Sequence, residues 1–358
     1  MQSARSERKL PEWFWEFIGA TGPWGGTREI AGQPFLFSGG IPRSQALLSD
    51  AQAQTEQTFG FKWKKRDTFE SEASLARLRE WLSERYGGID PAEWLVAHDE
   101  APLVLDAGCG AGMSALELFG PLFPRIRYLG VDVSEAVDVA VERFAERGVE
   151  AAFMQADITN LPFRDASVDV IFSEGVLHHT NSTKEALGAL SGLLKPGGRF
   201  LFYVYRRKGP VREFTDDYIR HQLQGMLPQE AWDAMEPLTH LGIALGQQNA
   251  QIDVPKAIDL LEIPAGPIDV QRLFYWHVAK MYYRPDLTFD EMNHINYDWY
   301  APANAHRQSA GEVRQWCDEF GLVVEREVVE EAGITVIARK KSLSGPAVRD
   351  RNAADPSE

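Results

Sequence analysis

Apolar and polar positions fall into two rhythms along this chain. Short apolar runs over 101–105, 126–131, 150–155, 168–172 and 198–205 have the length and composition of strands. Between them the apolar positions recur at helical spacing, over 113–119, 134–147 and 184–194, with Ser134 placed to cap the second of these. The loop 156–167 and the turn Lys195-Pro196-Gly197-Gly198 complete the pattern. Strands alternating with helices of this length predict a mainly parallel sheet with right-handed crossovers. Farther on, Ser309 caps a helix that ends at Phe320-Gly321. Two more strand-like runs, 322–329 and 334–338, meet at a turn around Ala332-Gly333, a connection short enough to require an antiparallel pair. The expected fold is therefore α/β and doubly wound, with a mainly parallel seven-stranded sheet whose last strand is antiparallel.

Outside this alternation the pattern changes. Residues 1–68 read as an irregular extension, with Trp13, Phe14, Trp15 and Phe17 clustered before the breaks at Gly22-Pro23-Trp24-Gly25-Gly26 and Gly39-Gly40-Ile41-Pro42. A short helix is expected over 54–63, and the aromatics here are expected to pack against the main domain. Leu75, Leu78 and Leu82 mark an amphipathic helix over 70–86, stopped by Gly87-Gly88 and followed by a second short helix over 91–98. Residues 206–308 carry helical patterns without a clear strand and form an insertion after the fifth strand. The core resumes over 309–341, and the polar, proline-containing stretch 342–358 reads as disordered.

Composition narrows the function classes. With 44% hydrophobic and 25% charged residues over 358 positions, the chain reads as an ordinary soluble globular protein. A formal charge of −15 argues against an obligatory nucleic-acid surface. The two cysteines, Cys109 and Cys317, supply neither a disulfide framework nor a cysteine zinc site, which fits a reducing compartment. The N-terminus carries Arg5, Arg8 and Lys9, but Glu12, Glu16 and aromatics follow where a signal-peptide core would be apolar, and no apolar run is long enough to span a bilayer. A cytoplasmic protein without a membrane partner is expected.

The chemistry concentrates at Val104-Leu105-Asp106-Ala107-Gly108-Cys109-Gly110-Ala111-Gly112, where a strand ends in an acid and breaks into glycines before a helix. A dinucleotide fingerprint would place its third glycine where Met113 stands. This stretch resembles the first motif of class I S-adenosylmethionine-dependent methyltransferases. Leu129-Gly130-Val131-Asp132-Val133-Ser134 is similar to the second motif and Gln155-Ala156-Asp157-Ile158 to the third. Ser173-Glu174-Gly175-Val176-Leu177-His178-His179 and Leu194-Lys195-Pro196-Gly197-Gly198 resemble the fourth and fifth. The stretch from Gln33 to Arg43 looks like the tail of a small zinc-ribbon domain that precedes this fold in some bacterial methyltransferases, but without its cysteines.

The resemblance implies S-adenosyl-L-methionine as cofactor, S-adenosyl-L-homocysteine as product, and a set of roles. Asp132, after the second strand, would accept the ribose hydroxyls and Asp157 the adenine amino group, with Val133 and Ile158 nearby. Asp106, Gly108, Cys109 and Gly110 would hold or clear the methionine moiety. The methyl group would lie near Ser173 and Glu174, and Gln54, Thr58, Phe59 and Trp63 would belong to a helix laid over the cofactor. Methyl transfer needs a base only where the acceptor loses a proton; His178, ahead of His179, is the nearest candidate. The insertion, with nine aromatics over 271–300, would roof an acceptor pocket from Tyr275, Trp276, His277, Tyr283, Tyr297 and Trp299. His294 and Asp298, four residues apart, with His277 as a third, would be the candidate metal ligands, and no metal is expected. The expected acceptor is a small or medium-sized metabolite methylated at oxygen or nitrogen, without nucleic acid. The alternatives are a macromolecular acceptor, tRNA or protein, and a non-catalytic cofactor-binding subunit. The sequence leaves the oligomeric state open.

Overall fold

A computed structural model describes residues 9–87 and 101–342. The helix expected over 91–98 and nearly all of the tail 342–358 lie outside the described residues. At the centre run five parallel strands, β4 (Leu103–Ala107), β5 (Arg127–Asp132), β6 (Ala152–Gln155), β7 (Val168–Glu174) and β8 (Leu194–Tyr205). Strands β11 (Leu322–Val329) and β12 (Gly333–Lys340) form the expected antiparallel hairpin, with β12 antiparallel to β8. Period-two burial explains the two covered faces. Leu103, Leu105 and Ala107 of β4 join one core with Leu187, Leu190, Val313 and Cys317. Val104, between them, joins a second core with Leu82, Leu116, Phe119 and Phe144 on the opposite face.

The sheet has ten strands rather than seven. The added three, β1 (Gly26–Ile30), β2 (Gln33–Ser38) and β3 (Ile41–Ser44), form an antiparallel meander in the extension expected to be irregular. Its turns are legible in retrospect. Ala31-Gly32 and Gly39-Gly40 all have positive φ (48°, 78°, 64° and 76°), the geometry that two-residue hairpin turns require. The meander joins the sheet beside β6 through one parallel pairing, Arg43 with Gln155. Trp15 stacks on Phe37 with centroids 5.8 Å apart, and Phe14 is fully buried, so this aromatic cluster packs as expected.

Two smaller departures are local. The Lys195-Pro196-Gly197-Gly198 turn lies within β8 as a bulge, Val168 pairing with Leu194 and Val170 with Arg199. The insertion contains a two-stranded ribbon, β9 (Gln251–Val254) with β10 (Gly266–Asp269), where no strand was expected. It is otherwise helical, with helices Pro210–Leu223, Pro228–Gln247, Val270–His277 and Phe289–Tyr300.

The strand order β6-β5-β4-β7-β8 places the topological switch at β4, which pairs with β5 on one side and β7 on the other. Ligands of open α/β sheets bind outside the carboxyl ends of the strands at that point. The same order lays out the strand-end residues in space as Asp157, Asp132, Asp106, Glu174 and then Tyr203 and Tyr205.

Candidate active site

A cavity of about 370 Å³ opens at these strand ends. Its first half is walled by the glycine loop, whose backbone is tied down by Gly108 and Cys109 N–H groups donating to Val131 O at 2.7 and 2.9 Å. Gly108 has φ +88°, and a Cβ there would come within 2.2 Å of Val176. At Gly110 (φ +50°) a Cβ would approach the Trp63 indole nitrogen to 2.9 Å. Both positions need glycine for conformation and for close approach. Asp132 braces the loop: its Oδ2 accepts from Gly110 N at 2.8 Å, and its Oδ1 accepts from Ser134 N and Oγ at 2.8 and 2.7 Å. Ser134 therefore closes a turn on Asp132, and the following helix starts at Ala136 with Glu135 as its cap. Asp157 accepts from Thr159 N and Oγ1 through Oδ1 alone. Asp106, Gly108, Cys109, Gly110, Asp132, Val133, Asp157, Ile158 and Glu174 all reach the cavity wall. Ser173 does not; it is fully buried and donates to Ala107 O at 2.8 Å, tying β7 to the loop.

Two of these carboxyls are raised by burial. Asp106 accepts from Tyr128 OH at 2.6 Å, yet burial, reinforced by the Asp132 and Glu174 charges, pushes it up to about 7. Burial likewise pushes Glu174 up to about 7, although Tyr86 OH bonds to it and Arg85 stands 3.9 Å away. Such groups favour a cationic ligand in their midst.

The roof over the loop is helix Asp50–Lys64, capped by Ser49. Trp63 lies over Gly110 and packs edge-on against Phe69 at 4.9 Å, while Phe59 meets His179 at 5.0 Å. Gln54 faces away, its side chain joining Thr58, Ala301 O and Ala303 N.

The second half is built from separate parts of the chain. Tyr203 and Tyr205 come from β8, and Arg77, Leu78 and Trp81 from helix Glu72–Tyr86. Tyr275, Lys280 and Tyr282 come from the insertion, and Glu291, His294, Ile295 and Asp298 form one face of helix Phe289–Tyr300. Lys62 pairs with Asp298 and lies 3.9 Å over the Trp63 ring. Burial pushes Asp298 up, but the Lys62 and Lys280 charges prevail and hold it below the usual carboxylate range.

Of the expected acceptor-pocket residues, only Tyr275 lines the cavity. Helical periodicity explains the rest. With residues 291, 294, 295 and 298 facing inward, Tyr297 and Trp299 point at neighbouring elements. Tyr297 packs between Phe61 and Trp232, and Trp299 donates from Nε1 to Asp216 at 2.8 Å. Trp276 packs on Tyr275, Tyr283 covers Gly246, and His277 lies half-buried off the wall. His294 and Asp298 do share a face, but His294 Nδ1 bonds to Thr68 Oγ1 at 2.7 Å. Among the described residues no cluster suits a metal ion.

The histidine pair is arranged differently from expectation. His178 is off the wall, stacked on Tyr205 at 3.6 Å, with both ring nitrogens enclosed and unbonded among the described residues. His179 does line the cavity. Its Nδ1 donates to Asn304 O at 2.6 Å, which leaves the lone pair on an enclosed Nε2. Burial lowers both, His178 well below the ordinary imidazole range and His179 to about 4. Lys62, Arg77, Trp81, Tyr203, Tyr205 and Lys280 are not singled out by the sequence, whereas Tyr282 belongs to the aromatic run of the insertion that is expected to roof the pocket. Of the former, only the tyrosines at alternate positions ending β8 carried a signal, since same-face residues at a strand end point at the ligand crevice.

Residues 105–202 match the family described as a methyltransferase domain. An uncharacterized methyltransferase of Bacillus subtilis, YcgJ, is 37% identical over 121 residues, covering 33% of this chain and 46% of the relative. A probable tRNA methyltransferase 9B of Mus musculus is 37% identical over 122 residues, covering 32% of this chain and 25% of the relative. The chain thus spans less than half the length of these relatives. A similar solved structure is the 1,6-didemethyltoxoflavin-N1-methyltransferase of Burkholderia thailandensis with 1,6-didemethyltoxoflavin and S-adenosylhomocysteine. It is 15% identical with a TM-score of 0.44, covering 89% of this chain and 100% of that one. No described helix is long and apolar enough to cross a membrane.

Proposed function

From the premise that residues 105–202 are a class I S-adenosylmethionine-dependent methyltransferase domain, we propose that the protein methylates an oxygen or nitrogen of a small or medium-sized metabolite. The observation that carries the reading is the roofed cavity, continuous from the glycine loop to the aromatic floor of the insertion. The donor set fits the cofactor. Asp132 retains acceptor capacity for ribose hydroxyls beyond its three bonds, and Oδ2 of Asp157 is available to an adenine amino group. Asp106 and Glu174, pushed up by burial, suit a neighbouring ammonium and sulfonium. When bound, the cofactor supplies a methyl group already activated on a sulfonium.

The protein's contribution is then largely geometric. The Trp63 roof excludes water from the loop, and Tyr203, Tyr205 and Tyr275 fix the acceptor beside Glu174. The histidines support this wall: His178 props Tyr205, and His179 joins the Leu177–His179 turn to Asn304. A second reading, an RNA acceptor, is favoured by the relatives named as tRNA methyltransferases. The charge of −15 and the roof weigh against it. Calorimetry with S-adenosylmethionine tests the premise. Binding that weakens in Asp132→Ala is expected; NAD binding in its place would refute it.

A further inference from the structure

The two halves of the cavity differ in how their charges are used. Every carboxylate at the acceptor end is engaged. Glu291 accepts from Ser71 Oγ, Ser74 Oγ, Thr288 N and Thr288 Oγ1. Asp298 takes Lys62 and the Tyr205 hydroxyl. Two cations on the same wall make no hydrogen bond or ion pair with a carboxylate among the described residues, although the Asp298 charge reaches Lys280 at longer range. Lys280 is only 8% exposed, and its Nζ has no hydrogen bond or ion pair among the described residues. It lies 4.9 Å over the Trp299 ring. Arg77, half-buried, is also without a carboxylate partner among the described residues and stands 5.1 Å over the Tyr282 ring. Ring faces compensate a buried cation only in part, and a buried ammonium without a bonded anion is costly when the nearest carboxylate, Asp298, is already paired with Lys62.

We infer that Arg77 and Lys280 form an anion subsite, and that the methyl acceptor carries a carboxylate or phosphate group on an aromatic body. This rests on the methyl-transfer reading and deepens it. The aromatic body follows from the wall that the cations share: Trp81, Tyr203, Tyr275 and Tyr282 line the same cavity as Arg77, Lys280 and Glu174. The titration of Lys280 is consistent with the subsite. Burial holds it down to about 7, with Arg212 and Arg77 lowering it further and Asp298 and Asp216 opposing. An anion between the two cations relieves both the desolvation and their mutual repulsion. The nearby cations Arg85, Lys208 and Arg212 are already engaged, with Glu330, backbone carbonyls and Asp216 respectively. That accounting singles out the pair.

The test uses benzoate, phenyl phosphate and neutral benzamide as probes, titrated calorimetrically into the full chain with and without S-adenosylhomocysteine. At least one anion is expected to bind about tenfold more tightly than benzamide, and whichever anion binds better separates carboxylate from phosphate. Arg77→Met and Lys280→Met should each erase most of that preference, with product binding and melting temperature as folding controls. Equal binding of benzamide, no binding of any probe, or a preference that survives in either folded variant would overturn the subsite. Failure of the product itself to bind would count against the methyl-transfer reading, while the anion preference is still read from the titrations without it.

Discussion

The two halves of the cavity are made by different means. The half beside the glycine loop is assembled by strand ends. Asp106, Asp132 and Glu174 project where β4, β5 and β7 stop, and short turns set their spacing. The acceptor half is assembled by packing. Arg77, Tyr205, Lys280 and Asp298 come from a helix, a strand, a loop and another helix that meet only in the folded chain. Backbone geometry constrains the first half, and side-chain packing the second. The first should therefore fail sharply when one residue changes, and the second by degrees.

The largest effect is expected at Gly108. An alanine there combines a positive φ with a 2.2 Å approach to Val176. Strain of about 1–2 kcal/mol from the backbone alone, plus the displaced loop, should abolish measurable S-adenosylmethionine binding by calorimetry. Asp132→Ala comes next. It removes the acceptor for Gly110 N and Ser134 as well as for the ligand. Charge-assisted bonds at about 1.5–3 kcal/mol each predict a loss of affinity of at least about 100-fold. If either variant costs less than tenfold, the strand-end half does not depend on single residues.

A pH titration sharpens the same contrast. Asp106 must ionise to face a cationic ligand, and with its carboxyl at about 7 it is mostly protonated at pH 6 and mostly ionised at pH 8. Affinity for the cofactor should therefore rise about tenfold over that interval, with Glu174, also at about 7, adding to the slope. Asp106→Asn should flatten most of the rise. Unfolding should show the linked sign: a carboxyl raised in the folded state stabilises most at low pH, and that stability is lost as pH climbs toward 7.

The smallest effects are expected in the acceptor half. Tyr275→Ala should raise the acceptor KM about tenfold, whereas Trp276→Ala, one residue along and off the wall, should change it less than about twofold, steady-state kinetics deciding both. Equal effects would mean that the insertion aromatics act as one surface.

This contrast also sets what could be read from the chain before folding. The central strands, their helices and the closing hairpin followed from periodicity, because a strand buried on both faces must be apolar throughout. The meander β1–β3 did not, since its turns lie among other glycine and proline breaks, β1 is exposed over four of its five residues and β3 is only four residues long. The strand-end acids were legible because they occupy fixed offsets from apolar runs. The acceptor wall was not. Aromatic density marked the right insertion, but only helix phase decides that His294 and Asp298 face inward while Tyr297 and Trp299 pack outward. Lys280 had no sequence signal, because an unpaired buried lysine reads in sequence like any solvated one.

The central claim is that this roofed cavity methylates a small molecule. Transfer of labelled methyl from S-adenosylmethionine into a metabolite extract and into bulk tRNA, each with and without nuclease and protease treatment, tests it most directly. The account predicts label in a small-molecule fraction, unchanged by either treatment and lost in Asp132→Ala. Label retained on tRNA and released by nuclease, with none among the metabolites, would contradict it.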